Sequence, residues 1–203
     1  MYSTIQQHIQ TLISQFDTIP SDRKVILSQL ATYIQQQKTA QLPIQLNYIC
    51  THNSRRSHLG QIWAAVAANH YSISNVHTFS GGTESTSLNA NIINALISTG
   101  FEVKIGDESS NPKVHIHFSQ DHFVTCFSKV FDHEVNPKTG FAAIMTCSDA
   151  EQNCPFIPGV DIRIATTYND PKAFDGTPQE AEKYMERSNQ IALETLYAFS
   201  LVN

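Results

Sequence analysis

Residues 44–57 read IQLNYICTHNSRRS, and this stretch decides the fold. Ile44, Leu46, Tyr48 and Ile49 make an alternating, β-rich run that ends on Cys50. Five residues intervene before Arg56 and Ser57, which open the segment HLGQIWAAVAANHY, a stretch of helical composition. Working outward, residues 75–79 predict a second short strand closed by Ser80-Gly81-Gly82, and residues 88–99 a second helix stopped by Gly100. Strand, helix, strand, helix in that order argues for a three-layer α/β fold with a central, mainly parallel sheet.

Upstream, Ile5, Ile9, Leu12 and Ile13, then Leu27, Leu30 and Ile34, recur at three- and four-residue spacing. They predict two amphipathic helices, with Ser3 and Gln6 as a capping box for the first and Pro20-Ser21 as the break between them. Residues 1–42 are thus expected to form a helical extension and residues 43–203 the α/β domain. The extension carries no titratable cluster and suits packing or homodimer formation. Downstream, FEVKI, KVHIHF and FVTCFSKVF between residues 101 and 131 predict two or three extra strands, on a sheet edge or in a hairpin. Residues 141–146 read as a buried strand delivering Cys147, residues 161–166 as another short strand, and residues 179–199 as a closing helix.

The chain has 203 residues, 41% of them hydrophobic, enough for one well-packed core and an appendage. Its net charge of -5 excludes nucleic acid as the main partner, since phosphate neutralisation needs clustered Lys and Arg. An anionic substrate must therefore be held by a local site. No apolar run approaches the roughly 20 residues that span a bilayer, and MYSTIQQHIQ lacks the features of a secretory signal, so a cytoplasmic protein without a membrane partner is expected. Four cysteines, Cys50, Cys126, Cys147 and Cys154, are too few and too unevenly spaced for a disulfide framework. Cys126, between apolar neighbours, reads as core packing.

The loop carries the chemistry. Successive backbone N–H groups from Thr51 through Arg55 can curl around a tetrahedral oxyanion such as phosphate or arsenate, and the helix N-terminus adds positive potential. Cysteines in such fields reach pKa values of about 3.5 to 7.5, which makes Cys50 the candidate nucleophile. Arg56 supplies a planar fork for two oxygens, where lysine would offer a point charge. Ser57 is placed to donate to the Cys50 sulfur, and Asn53 to hold the loop through its side-chain amide. His52 and Ser54 complete the loop, with Arg55 adding charge beside the anion. The plainer alternative is a buried strand-end cysteine followed by a surface arginine.

CTHNSRRS resembles the C-x-x-N-x-x-R-S loop of the low-molecular-weight protein tyrosine phosphatase family, and Ser80-Gly81-Gly82-Thr83 is similar to that family's segment after its second strand. The stretch CSDAEQNCP, residues 147–155, is similar to the paired-cysteine segment of the thioredoxin-coupled arsenate reductases within it. The likeness spans residues 44–100 and about 141–200, and leaves 1–43 and 101–140 without a counterpart. One departure is Arg55, where those reductases usually carry cysteine.

The resemblance implies a relay. Cys50 attacks arsenate, Cys147 attacks the Cys50 adduct and releases arsenite, and Cys154 closes a disulfide that thioredoxin, the implied electron donor, reduces. In one continuous helix Cys147 and Cys154 would lie about 10 Å apart along the axis, and a disulfide needs less than about 7 Å, so their segment must unwind to pair them. Two buried strand-end cysteines, or half of a metal site, is the other reading. Asp170, in TTYNDPKAF, matches the family's Asp-Pro general acid in position; it otherwise initiates a turn before proline, with Asp175 its nearest competitor. Hydrolysis of phosphotyrosine-type esters through a phosphocysteine is the alternative activity. No metal and no bound cofactor is implied, and His115, His117 and His122 read as solvated rather than ligating.

Overall fold

A computed structural model describes residues 1–153 and 156–203, with residue 153 described by its backbone alone. Strands β1 (Ile44–Cys50), β2 (Val76–Gly82), β6 (Phe141–Met145) and β7 (Val160–Ala165) form one four-stranded sheet in the order β2-β1-β6-β7, parallel throughout. β1 is buried on both faces rather than one, because helices cover both sides of the sheet. Its one fully buried polar side chain, Asn47, donates to the Phe131 carbonyl at 3.2 Å.

From β1 the chain passes through α3 (Arg56–His70) to β2 on one side, and returns much later to β6 on the other. Connections diverging from the carboxyl end of one strand leave a crevice there, the position where open α/β sheets take their ligands. Residues 51–55 occupy that crevice, so the topology places the loop.

α3 is buried on almost every face, as its apolar composition requires, between the sheet and α6 (Glu180–Ser200). Trp63 Nε1 donates to Ser188 Oγ of α6 at 3.1 Å. Gly60 permits the close approach of α3 to β1, since a Cβ there would stand 2.3 Å from the Tyr48 ring.

The two N-terminal helices, α1 (Ser3–Ile13) and α2 (Ser21–Thr39), pack on α6. Ile5, Ile9, Leu27 and Ile34 join the same apolar core as Trp63 and Leu196. Arg23 pairs with Glu194 at 2.6 Å and lies 4.8 Å over the Tyr168 ring. The stripe that the sequence offers equally to a second copy is thus covered within the chain. The expected capping box is absent: Ser3 already lies inside α1, and the N-cap is Tyr2, with no side-chain cap bond.

α4 (Ala90–Thr99) is capped by the Asn89 side chain and ends, as expected, at Gly100 with φ 107°. β3 (Glu102–Ile105), β4 (Val114–His117) and β5 (Phe123–Cys126) are three strands, as expected, but they form an antiparallel sheet of their own. It meets the parallel sheet through the bridge between Gly82 and Val130, where Gly82 N donates to Lys129 O at 2.9 Å and Phe131 N to Gly82 O at 2.8 Å. The segment after β5 thereby covers the end of the β2 edge. α5 (Ser148–Asn153) follows β6 directly. Among the described residues no helix is long and apolar enough to cross a membrane.

Candidate active site

The parallel register pairs Cys50 with Gly82, and the chain beyond each strand stays in step: Thr83 N donates to Cys50 O at 3.1 Å and Glu84 N to Thr51 O at 2.8 Å. Gly82 is needed there. A Cβ would fall 2.5 Å from Thr51 O and 2.7 Å from Asn53 N, so any side chain would push the loop off the sheet.

Asn53 anchors the loop in a left-handed turn, φ 43°, a conformation that asparagine tolerates better than most residues. Its Oδ1 accepts from Lys129 N at 2.9 Å and its Nδ2 donates to Ser57 Oγ at 2.9 Å. With its oxygen accepting from Asn53, Ser57 has its own proton for the Cys50 sulfur, 3.0 Å away. Asn53, Ser57 and Cys50 thus form a donor chain that ends on the nucleophile.

Beneath it lies His58, which the sequence reading missed. It is completely buried, with Nε2 2.9 Å from Asn53 O and Nδ1 3.1 Å from Ser80 Oγ. A carbonyl can only accept, so Nε2 carries the proton and Nδ1 receives the Ser80 hydroxyl. Burial first, and the nearby Lys129 charge second, push His58 down to about 3, so the ring is neutral. The unfolded chain, with His58 near 6.5, takes up a proton first as pH falls. This contribution to stability is complete above about pH 6.5 and is lost on the way down to 3, by about 2 kcal/mol at pH 5. Chemical melts at pH 8 and pH 5 should show that loss, and His58→Gln should remove it from the difference.

Arg56 is nine-tenths buried and fixed at two ends. Nη1 donates to Tyr168 O at 2.7 Å, and Nη2 to Asp170 Oδ2 at 2.5 Å, while Nε is buried without a partner among the described residues. The other Asp170 oxygen caps the short 3-10 turn Pro171–Phe174 by accepting from Lys172 N at 3.0 Å. Asp170 therefore both starts a turn and reaches the loop. It lines one small pocket with Cys50, His52, Ser54, Arg55 and Arg56. Asp175, the competing acid, is held instead by Tyr184 OH at 2.7 Å and Arg55 Nη2 at 3.3 Å.

Arg55 donates through Nε to Tyr184 OH at 2.8 Å. Its charge, expected to add to the field on the anion, is largely met by Asp175 and by Asp170 at 4.0 Å. Replacing Arg56 by Lys should lower kcat/KM for an aryl phosphate by about 10²- to 10³-fold, because a point charge cannot replace the fork. Steady-state kinetics checks this, with Arg55→Lys expected to cost less.

Cys147 arrives from the other side. Ile49 pairs with Met145, Thr146 N and Oγ1 both donate to Ile49 O, and the next residue, Cys147, comes alongside the loop. Its buried Sγ lies 3.4 Å from Thr51 Oγ1 and accepts from Ala150 N at 3.4 Å. Cys154 lies outside the described residues. Cys126 is buried in the core, its thiol pushed up to about 12 by burial. His52 is half-buried and approaches Glu84 at 3.8 Å, while Ser54 gives its carbonyl to Asn89 N at 3.1 Å. His115 bonds Thr125 and His122 bonds Ser119; among the described residues no three metal-ligating side chains converge.

No protein-family model and no curated protein matches the sequence. Solved structures do match. The low-molecular-weight phosphotyrosine phosphatase of Vibrio cholerae O395 aligns with TM-score 0.52 at 11% identity, over 76% of this chain and 93% of that one. The low-molecular-weight protein tyrosine phosphatase of T. tengcongensis aligns with TM-score 0.50 at 13% identity, over 76% and 96%. A drosophila arginine phosphatase gives 0.50 at 10%, over 77% and 96%. Taken with the parallel β2-β1-β6-β7 sheet and the loop after β1, these matches show that the chain has the fold of the low-molecular-weight phosphotyrosine phosphatases.

Proposed function

We propose that this protein is an arsenate reductase in which Cys50, Cys147 and Cys154 relay two electrons to a bound arsenate. The observation that carries the reading is Cys147, a second buried thiol against loop residue Thr51, for which phosphoester hydrolysis has no use.

The Cys50 thiolate attacks arsenic, and an oxygen leaves as water after taking a proton from Asp170. The anion replaces Asp170 on the Arg56 fork, which frees that carboxyl to face the leaving oxygen. Arg56, the N–H groups of residues 51–55 and the α3 N-terminus hold the remaining oxygens. Cys147 then attacks the Cys50 sulfur. A Cys50–Cys147 bond forms, the sulfur–arsenic bond breaks, and its electron pair leaves with arsenic as arsenite. Cys154 displaces Cys50 from Cys147, and the resulting Cys147–Cys154 disulfide is reduced by a dithiol protein of the thioredoxin type.

Two features support the reading besides Cys147: the Asn53-Ser57-Cys50 donor chain and the delivery of Asp170 to Arg56. Arsenate-dependent NADPH oxidation with thioredoxin and its reductase tests it. Turnover is expected; its absence in a protein that still hydrolyses aryl phosphate would sink the proposal.

Hydrolysis of phosphomonoesters, or of phosphoarginine, is the second reading. It is favoured by the names of the structural neighbours and needs only Cys50, Arg56 and Asp170.

A further inference from the structure

Away from the loop, a groove of about 560 Å³ opens between the β2 edge, α3 and the antiparallel sheet. It shares no lining residue with the Cys50 pocket. Its walls combine apolar and aromatic side chains, Val76, Phe79, Phe123 and Phe127 among them, with polar ones, and Phe123 and Val135 are about half exposed at its rim.

Two polar side chains in this wall are largely buried, and one of them holds an unsatisfied atom among the described residues. Lys129, only 4% exposed, has no hydrogen bond or ion pair for its ammonium among the described residues, which lies 4.6 Å over the Phe127 ring. Partial desolvation of an ammonium without a counter-charge is costly, and burial pushes Lys129 down to about 8. Gln61, 5% exposed, donates through Nε2 to Thr78 O at 3.2 Å and to Thr125 O at 3.4 Å, which leaves Oε1 buried without a donor among the described residues. Buried polar groups in native structures are nearly always paired, so the Gln61 amide oxygen points to a missing partner, and Lys129 beside it offers a cation without a counter-charge among the described residues. The charge balance gives its sign: Lys113 and Lys129 line the groove against the single carboxylate of Asp121, in a chain of net charge -5.

We propose that this groove binds a small aromatic carboxylate, its ring among Phe79, Phe123 and Phe127, its anionic group on Lys129, and an N–H or O–H donor on Gln61 Oε1. The volume suits a ligand of that size, and aromatic walls with fixed polar groups beside them are the usual form of such sites. The ligand's carboxylate neutralises the Lys129 ammonium, and its donor satisfies the orphaned amide oxygen. Binding here does not require either reaction proposed for Cys50.

Indole-3-propionate has a ring, a donor and a carboxylate, and titration calorimetry of the full chain with it tests the proposal. Saturable binding is expected, at least 10-fold tighter than for 3-methylindole, which lacks the carboxylate. Lys129→Met keeps the length of the side chain without its charge, and should weaken indole-3-propionate at least 10-fold while leaving 3-methylindole unchanged. Circular dichroism checks that this variant folds; should it not, the comparison of the two ligands on the unaltered protein decides alone. The proposal is overturned if indole-3-propionate does not bind, if both ligands bind equally, or if inorganic phosphate displaces it, which would put it in the Cys50 loop.

Discussion

Cys50→Ser should abolish arsenate reduction and lower aryl phosphate hydrolysis by roughly 10⁴-fold or more, the scale on which removal of an enzyme's nucleophile acts. A serine hydroxyl in this position stays protonated: among the described residues its partner Ser57 donates toward residue 50, His58 faces Asn53 and Ser80, and the Asp170 carboxylate is paired with Arg56. For reduction the loss is total, since an oxygen ester of arsenic gives Cys147 no sulfur to attack. Anion binding should survive within a few-fold, because Arg56 and the backbone N–H groups remain. Stopped assays for arsenite and aryl phosphate, with phosphate titrated by calorimetry, measure all three. Loss of phosphate binding along with activity would mean that the sulfur shapes the loop rather than reacts.

Cys147→Ser separates the two readings. Arsenite production should fall below detection, while aryl phosphate hydrolysis stays within about three-fold of the parent. The side chain does nothing for hydrolysis: Cys147 Sγ accepts from Ala150 N and touches Thr51 Oγ1, and a serine oxygen can do both. The swap buries a hydroxyl that retains these partners, so the stability cost should be small, about 1 kcal/mol. Parallel kinetics with the two substrates, plus a thermal melt, tests this. Equal loss of both activities with an unchanged melt would make Cys147 part of the hydrolytic site and remove the main support for reduction.

The sheet and the loop were legible because both depend on local pattern. The run from Ile44 to Cys50 is apolar and β-rich, and a glycine stop ends α4 at Gly100. The loop's spacing is itself the chemistry, so Cys50, Arg56 and Ser57 were visible before any fold was known. What remained hidden depends on tertiary partners. Residues 80–82 read as a closing turn, yet Gly81 and Gly82 continue β2, because only glycine fits against Phe131 and Thr51. Arg55 read as charge on the anion, but Tyr184 and Asp175, about 120 residues away in sequence, draw it aside. His58 and Lys129 carried no motif. Their importance comes from being buried beside Asn53, which no spacing in the sequence announces. The helices of residues 1–42 showed their apolar stripe plainly, but not that α6 would cover it.

The relay is tested most directly by a mass-spectrometric thiol count and disulfide map of the reduced protein, before and after arsenate, with thioredoxin omitted. The account predicts one arsenite per chain, two thiols lost and a new Cys147–Cys154 bond, with Cys50 and Cys126 still free. Four free thiols after prolonged exposure to arsenate, in a protein that still hydrolyses aryl phosphate, would contradict it.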